Sequence, residues 1–83
     1  MRLSDLTPGA SATVIQVDDT VSGDPIAMRL RDLGFVAGEP VRMVTHGPLG
    51  AEPLLVQVGF TRFALRKAEA RRVLVMPGAG DGA

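Results

Sequence analysis

His46 is the side chain best suited to bind a divalent transition metal, since it is the single histidine of a chain that has no cysteine. Glu52 follows six residues later, across a stretch rich in glycine and proline. If residues 46–53 form a loop, the imidazole and the carboxylate can meet, and both are ligands for a borderline-hard ion. Two ligands do not fill a coordination shell, so water or a second chain must supply the others. We therefore predict a weak metal site, which a homodimer could share, against the alternative of an exposed loop histidine.

Basic side chains gather near the C-terminal end of the chain. The cluster has five members against the single carboxylate of Glu69: Arg62, Arg66, Lys67, Arg71 and Arg72. If Arg62 and Arg66 lie on one strand, they share its outer face. Such a face is suited to an acidic partner or to anionic membrane headgroups, and its plainer interpretation is charge that keeps the protein in solution.

The acidic residues of the N-terminal half predict structure rather than binding. Asp18, Asp19 and Asp24 lie in a polar segment but lack the alternating order of a calcium-binding loop. Asp24 precedes Pro25, which is the pairing expected of a helix N-cap and the first helical position. We predict a solvated loop that ends in one helix cap.

Composition argues against several classes of function. The chain of 83 residues has nine basic and nine acidic residues, so it lacks the basic excess usual in nucleic-acid binding. It carries no Ser–His–Asp arrangement, paired-carboxylate pattern or phosphate-binding glycine loop, and we predict that it is not an enzyme. Its aromatic residues are three phenylalanines, which argues against a reader of proline-rich peptides or of single-stranded RNA.

Alternation of apolar residues predicts a small, mainly β domain that forms a partly open barrel. One short helix is expected from Pro25 to Leu33, between the first two strands, with Ile26, Leu30 and Leu33 as its buried stripe. A single helical turn is expected at 67–70. Phe60, Phe63 and Leu65 are predicted to point inward. The predicted strands span 12–18, 41–45, 54–60, 62–66 and 71–76.

The segment that leaves the helix predicts a well-defined end. Gly34 follows the last apolar helical position, where a residue with positive φ is usual, and Phe35 can pack back onto the helix. Gly38 turns the chain toward the next strand. We assign Leu30, Leu33, Gly34, Phe35 and Gly38 structural roles.

The short motifs at the ends of the predicted helices and strands, taken in their order along the chain, resemble those of the FeoA family, small cytosolic proteins of bacterial ferrous iron uptake. The resemblance covers residues 1–76. It rests on four groups of residues: M-R-L-S-D-L with Pro8-Gly9, L-R-D-L-G with Gly38 and Val41, P-L-G at 48–50 with Pro53, and A-L-R at 64–66 with Glu69-Ala70.

The resemblance implies an SH3-like β-barrel over residues 1–76. The small residues at 77–83 predict a flexible C-terminal tail. It also implies a partner, the membrane permease FeoB, whose cytoplasmic part binds GTP. The chain would then be cytoplasmic, at the inner membrane only through that partner, and would bind no nucleic acid. No secretory signal is evident after Met1. No cofactor is required, and any metal at His46 and Glu52 would be zinc or ferrous iron held weakly.

Candidate contacts with a partner lie outside the expected core. Leu49 falls between Pro48 and Gly50 at an expected loop tip, and Arg29 and Arg31 face away from the helix stripe. Together with Arg62 and Arg66 they are the predicted docking residues. Two other classes of function stay open, a metal-responsive regulator like the barrel domains of metal-dependent repressors and a small-barrel RNA binder.

Overall fold

A five-stranded antiparallel sheet forms the body of the protein, in a computed structural model that describes residues 1–49 and 52–78 and, for Leu49, the backbone alone. The strand order is β4-β3-β2-β1-β5, so β4 and β5 lie at the edges. A 3₁₀ turn at Leu3–Asp5 precedes the sheet. The elements are β1 Ser11–Val17, α1 Pro25–Leu33, β2 Pro40–Leu49, β3 Glu52–Val58, β4 Thr61–Leu65, α2 Lys67–Ala70 and β5 Val73–Pro77.

One core collects apolar side chains from every strand, from α1 and from the 3₁₀ turn. Alternation in β3 is as predicted, because Leu54, Val56 and Val58 are buried while the residues between them are partly exposed. The predicted fold class, mainly β with one helix between β1 and β2, is confirmed.

Helix α1 begins and ends where local chemistry predicts. The Asp24 carboxylate accepts hydrogen bonds from the N–H groups of Ile26 and Ala27, and Gly34 closes the helix with φ at 115°. The buried stripe is shifted from the predicted one. Ala27 and Leu30 are buried, whereas Ile26 and Leu33 are only partly buried against the core.

The prediction of a loop at 46–53 is wrong, because β2 continues through His46 to Leu49 and β3 begins at Glu52. The pairing shifts register between His46 and Leu49, which is how a bulge absorbs residues unsuited to a regular ladder. A Cβ on Gly47 would overlap the backbone carbonyl of Glu52. Glycine here permits two strands to approach closely, and it does not mark a loop.

Phe60 points outward, so its predicted inward placement is wrong. Val58 pairs with Thr61, which leaves Gly59 and Phe60 as the two-residue turn between β3 and β4. The Phe60 side chain is fully exposed, at 105% of its reference area. Phe63 is partly buried against the core and Leu65 is buried, both as predicted.

Arg62 and Arg66 do not share a strand, contrary to the prediction. β4 ends at Leu65, and Arg66 is the N-cap residue of α2. The Glu69 carboxylate accepts the Arg66 N–H at 2.8 Å, which ends the strand and begins the helical turn.

Candidate functional site

A groove of about 400 Å³ lies between α1 and the C-terminal end of β4. Polar atoms make up the larger part of its exposed surface, although six of its lining residues are apolar. The apolar residues are Ile26, Leu30, Leu33, Pro53, Ala64 and Leu65. Three charged residues line the rim, Arg29 from α1, Arg66 after β4, and Glu69 from α2. We call this feature the α1–β4 groove.

The ends of α1 hold the α1 wall of the groove in place. Asp24 caps the first turn, and at the other end the N–H groups of Gly34 and Phe35 bond to the carbonyl of Leu30, that of Phe35 at 3.1 Å. Phe35 is fully buried and its ring lies 6.2 Å from that of Phe63 on β4. The helix and the edge strand are therefore tied together through the core beneath the groove.

The rim of the groove has a basic surplus. Within the described residues, three ion pairs form, and none includes Arg29, Arg62 or Arg66. Arg62 donates from Nε to the Gln57 side chain at 3.3 Å, and Glu69 already accepts the Arg66 N–H. Arginines in this state can pair with an external carboxylate without first breaking an internal ion pair.

The remaining arginine of α1 is already engaged. Arg31 donates to the carbonyl of Val17 and to the Asp19 carboxylate, both at 2.7 Å. Arg29 and Arg31, predicted together as docking residues, thus lie in different surroundings, and only Arg29 lines the groove.

Asp24 joins α1 to the chain that follows α2. Its carboxylate is 2% exposed and accepts hydrogen bonds from Arg72 Nε at 2.8 Å and from the Thr20 N–H and hydroxyl. The Arg72 guanidinium, together with the Thr20 N–H, holds the pKa of this carboxyl well below its ordinary value. The role predicted for Asp24 was the helix cap alone, and its ion pair was missed.

A second ion pair fastens the N-terminal residues to the end of β1. Arg2 donates to the Asp18 carboxylate at 2.6 Å, and Gln16 donates to its other oxygen. These bonds lower the pKa of Asp18, with that from Arg2 as the largest cause. The three carboxylates that were predicted to form one acidic cluster therefore pair with three different arginines, Arg2, Arg31 and Arg72.

His46 and Glu52 each contact a different backbone group. His46 Nε2 lies 3.1 Å from the carbonyl oxygen of Leu6, and the Glu52 carboxylate accepts the Lys67 N–H at 2.7 Å. A carbonyl only accepts, so this contact assigns the proton of a neutral imidazole to Nε2 and leaves the lone pair on Nδ1. In residues 1–49 and 52–78, no three His, Asp or Glu side chains gather as a metal site would require. The metal site stays a prediction.

Exposed apolar side chains add further candidate contacts. Phe60 was missed because its apolar character matched the strand alternation. The signal that could have placed it outside was Gly59, which favours a two-residue turn when strands flank it. Met28 on α1 is also exposed. The Leu49 side chain lies outside the described residues, so its predicted docking role is untested.

The model of the FeoA domain family matches residues 1–77. The chain belongs to the FeoA family. Family membership associates it with ferrous iron transport. No curated protein matches its sequence significantly. Among residues 1–49 and 52–78, the helices are too short and too polar to cross a membrane.

Solved structures of the FeoA family share the fold. The FeoA of Stenotrophomonas maltophilia, crystallised with zinc, is 64% identical, with a TM-score of 0.84 over 90% of this chain and 88% of that one. It is described as a prokaryotic SH3 domain protein and a candidate activating factor of bacterial ferrous iron transport. Iron(II) transport protein A from Clostridium thermocellum is 36% identical, with a TM-score of 0.81 over 96% of this chain and 47% of that one.

A regulator shares the fold alone. The IdeR of T. acidophilum is 17% identical, with a TM-score of 0.75 over 93% of this chain and 33% of that one. The SH3-like β architecture expected from the family resemblance is confirmed by these neighbours.

Proposed function

We propose that this FeoA protein is a non-enzymatic accessory protein of bacterial ferrous iron uptake. It acts in the cytoplasm by docking on the cytoplasmic part of the FeoB permease, and it modulates the assembly of FeoB or its GTPase-coupled transport. The inner membrane is reached only through this partner. The observation that carries the proposal is the α1–β4 groove, a cleft with six apolar lining residues that is bordered by two arginines, Arg29 and Arg66, with no internal ion pair within the described residues.

Apolar side chains bordered by charged ones are the usual anatomy of a protein-docking surface. Buried apolar anchors supply most of the affinity, while the rim charges steer the partner and set its orientation. The chemistry of the groove therefore favours a partner surface that is apolar at its centre and acidic around it. Phe60, on the hairpin that begins β4, offers an additional aromatic anchor.

Charge reversal at the rim is expected to weaken this docking. Arg29→Glu and Arg66→Glu should each lower the affinity for the purified cytoplasmic part of FeoB about tenfold at low salt, and less at high salt, because salt screens rim charges. Biolayer interferometry over a range of salt concentrations measures the effect.

The matched control for charge reversal is Arg42→Glu. Arg42 is an exposed arginine of β2 that does not line the groove, and its reversal changes the net charge equally. We expect it to retain most of the wild-type affinity, and all three variants should keep the wild-type thermal unfolding curve. Equal losses in the three variants, or none in any, would contradict docking through the groove.

A second candidate function is a metal-responsive regulatory module. It is favoured by the zinc complex of the relative that is 64% identical. The residues of this chain that would bind zinc or ferrous iron are His46, through Nδ1, and Glu52, with a neighbouring chain supplying further ligands in a metal-bridged homodimer.

Calorimetric titration with zinc tests this alternative. We expect His46→Ala to lower zinc affinity at least tenfold, because the imidazole is the strongest ligand that the chain offers. Glu39→Gln, which removes a carboxylate from the loop before β2, should leave zinc binding unchanged. Wild-type affinity in His46→Ala would exclude the histidine as a ligand.

A further inference from the structure

The strand that borders the α1–β4 groove has an unpaired edge. β4 is the last strand of the sheet and pairs with β3 alone in the described part of the chain. Edge strands expose a row of backbone N–H and C=O groups that another strand can pair with. Natural proteins commonly protect such edges with a covering element or with charged side chains. Here the groove lies between α1 and the last two residues of this strand, Ala64 and Leu65.

The hairpin register identifies which backbone groups of β4 point away from β3. Val58 and Thr61 flank the two-residue turn, so the turn bond runs from the Thr61 N–H to the Val58 carbonyl. Hydrogen-bonded and non-hydrogen-bonded pairs alternate along an antiparallel ladder. Phe63 and Leu65 therefore bond to β3, and Arg62 and Ala64 direct their N–H and C=O groups outward.

Nothing else in the described residues uses these outward groups. The backbone atoms of Arg62 and Ala64 form no hydrogen bond with a turn, a loop or a side chain there. The Ala64 side chain is small and exposed, so it leaves the approach to its own N–H open. Backbone groups of this kind are satisfied by water until a better-oriented partner arrives.

A cleft between an open strand edge and a helix is the geometry of strand addition. In that mode a bound segment pairs its backbone with the edge, and alternate side chains enter the cleft. Apolar residues of the segment would face Leu30 and Leu33 of α1. The rim selects the remaining side chains, since Arg29 and Arg66 favour carboxylates and Glu69 already accepts the Arg66 N–H. Arg62, nearer the start of β4 and outside the groove lining, adds a further positive charge.

We propose that an extended acidic segment of the FeoB cytoplasmic part binds the α1–β4 groove by adding to β4 as a sixth strand. This inference rests on the proposed docking function. It specifies that affinity comes from backbone pairing with Arg62 and Ala64, and that the arginines of the rim supply the preference for acidic residues.

Amide exchange of the ¹⁵N-labelled protein tests the pairing directly. With the purified cytoplasmic part of FeoB at saturation, the exchange of the Arg62 and Ala64 amides is expected to slow at least tenfold. The Phe63 and Leu65 amides, already bonded to β3, should change far less. This alternation distinguishes strand addition from a contact that only covers the surface, which would slow neighbouring amides without regard to their direction.

A pair of substitutions at Ala64 supplies the second readout. Ala64→Pro removes the outward N–H without removing a bond to β3, and proline is tolerated on sheet edges. It is expected to lower FeoB affinity at least tenfold, whereas Ala64→Val, which keeps the N–H, should remain within about threefold of wild type. If Ala64→Pro does not fold, as judged by circular dichroism, the exchange pattern of the wild type decides alone.

The outcomes separate this inference from the docking function on which it rests. Binding of FeoB with unchanged Arg62 and Ala64 exchange would overturn strand addition and leave docking intact. If wild-type protein does not bind FeoB, docking fails, and the acidic strand probe acetyl-(Glu-Val)₄-amide then tests the groove. Alternating amide protection by this peptide would support the β4 edge as a strand-binding site. If the alternating protection is absent at millimolar peptide, strand binding at this edge is overturned as well. Equal protection by phosphatidylglycerol vesicles, which cannot pair with a backbone, would also overturn it.

Discussion

Replacing Phe35 by alanine is expected to lower the free energy of unfolding by about 3–5 kcal/mol. Phe35 is the largest of the fully buried side chains, and its ring contacts that of Phe63 across the core. Its removal leaves a cavity that the close-packed surroundings fill only in part. Because small domains have total stabilities of roughly 5–15 kcal/mol, this one substitution should remove a large share of the stability.

Urea unfolding followed by circular dichroism measures the loss, and the chain supplies a matched control. Phe60→Ala deletes the same atoms from a side chain that is fully exposed. It should change stability by less than about 0.5 kcal/mol, since exposed side chains away from special features contribute little. Similar losses in the two variants would mean that Phe60 is buried in solution or that Phe35 is not.

The same pair of variants should also differ in function. Phe35 directly follows the end of α1 and its ring packs on Phe63 of β4, so its loss should disturb the position of α1 and weaken the proposed docking on FeoB. Phe60 lies on the surface, and its loss should weaken docking only if the hairpin tip contacts the partner. Affinity measured at a temperature where both variants remain folded separates the two effects.

Asp24 is expected to be the most important charged residue for stability. Asp24→Ala removes both the N-cap of α1 and the acceptor of the Arg72 ion pair, which leaves a largely buried guanidinium without its carboxylate. We expect Tm to fall by roughly 5–10 °C. Asp24→Asn retains an oxygen for the cap and loses the charge, so its Tm should lie between that of wild type and that of Asp24→Ala. Equal Tm values for Asp24→Ala and wild type would contradict this role.

The lowered pKa of Asp24 predicts that its charged form is the one that stabilises the fold. The folded-state pKa of Asp24 is lowered from 3.8, so its contribution is fully present above the ordinary pKa and is lost as pH falls through the lowered one. The difference in unfolding free energy between wild type and Asp24→Asn should be constant above about pH 5 and should shrink below the ordinary carboxyl pKa. A difference that stays constant down to pH 2 would show that the ion pair does not contribute.

Features with local causes could be predicted from the sequence. The start of α1 depends on an aspartate before a proline, and its end depends on a glycine with positive φ followed by a phenylalanine, all within about ten neighbouring residues. The alternation of β3 and the single turn of α2 are local in the same way. The fold class and the family resemblance could be predicted because the short motifs at the ends of these elements occur in a fixed order along the chain.

Where each strand ends was decided by its partner. Phe60 continues the apolar alternation of β3, yet the pairing of Val58 with Thr61 places it in a turn. Gly47 and Pro48 suggested a loop, but pairing with β3 carries β2 through them with a shift of register. Pairing between strands outweighs local preference, because a one-residue slip would move the buried face of the strand into solvent.

The helix, the alternation of the strands and the family resemblance depend on residues close together in the chain, so they could be recognised without a structure. The pairing of Asp24 with Arg72, 48 residues away, and the position of β4 at a sheet edge, with its end beside the groove next to α1, come from the tertiary packing. Such contacts join residues with no relation of spacing or pattern. They exist because packing one core brings distant segments together, and the proposed docking groove is a product of that packing.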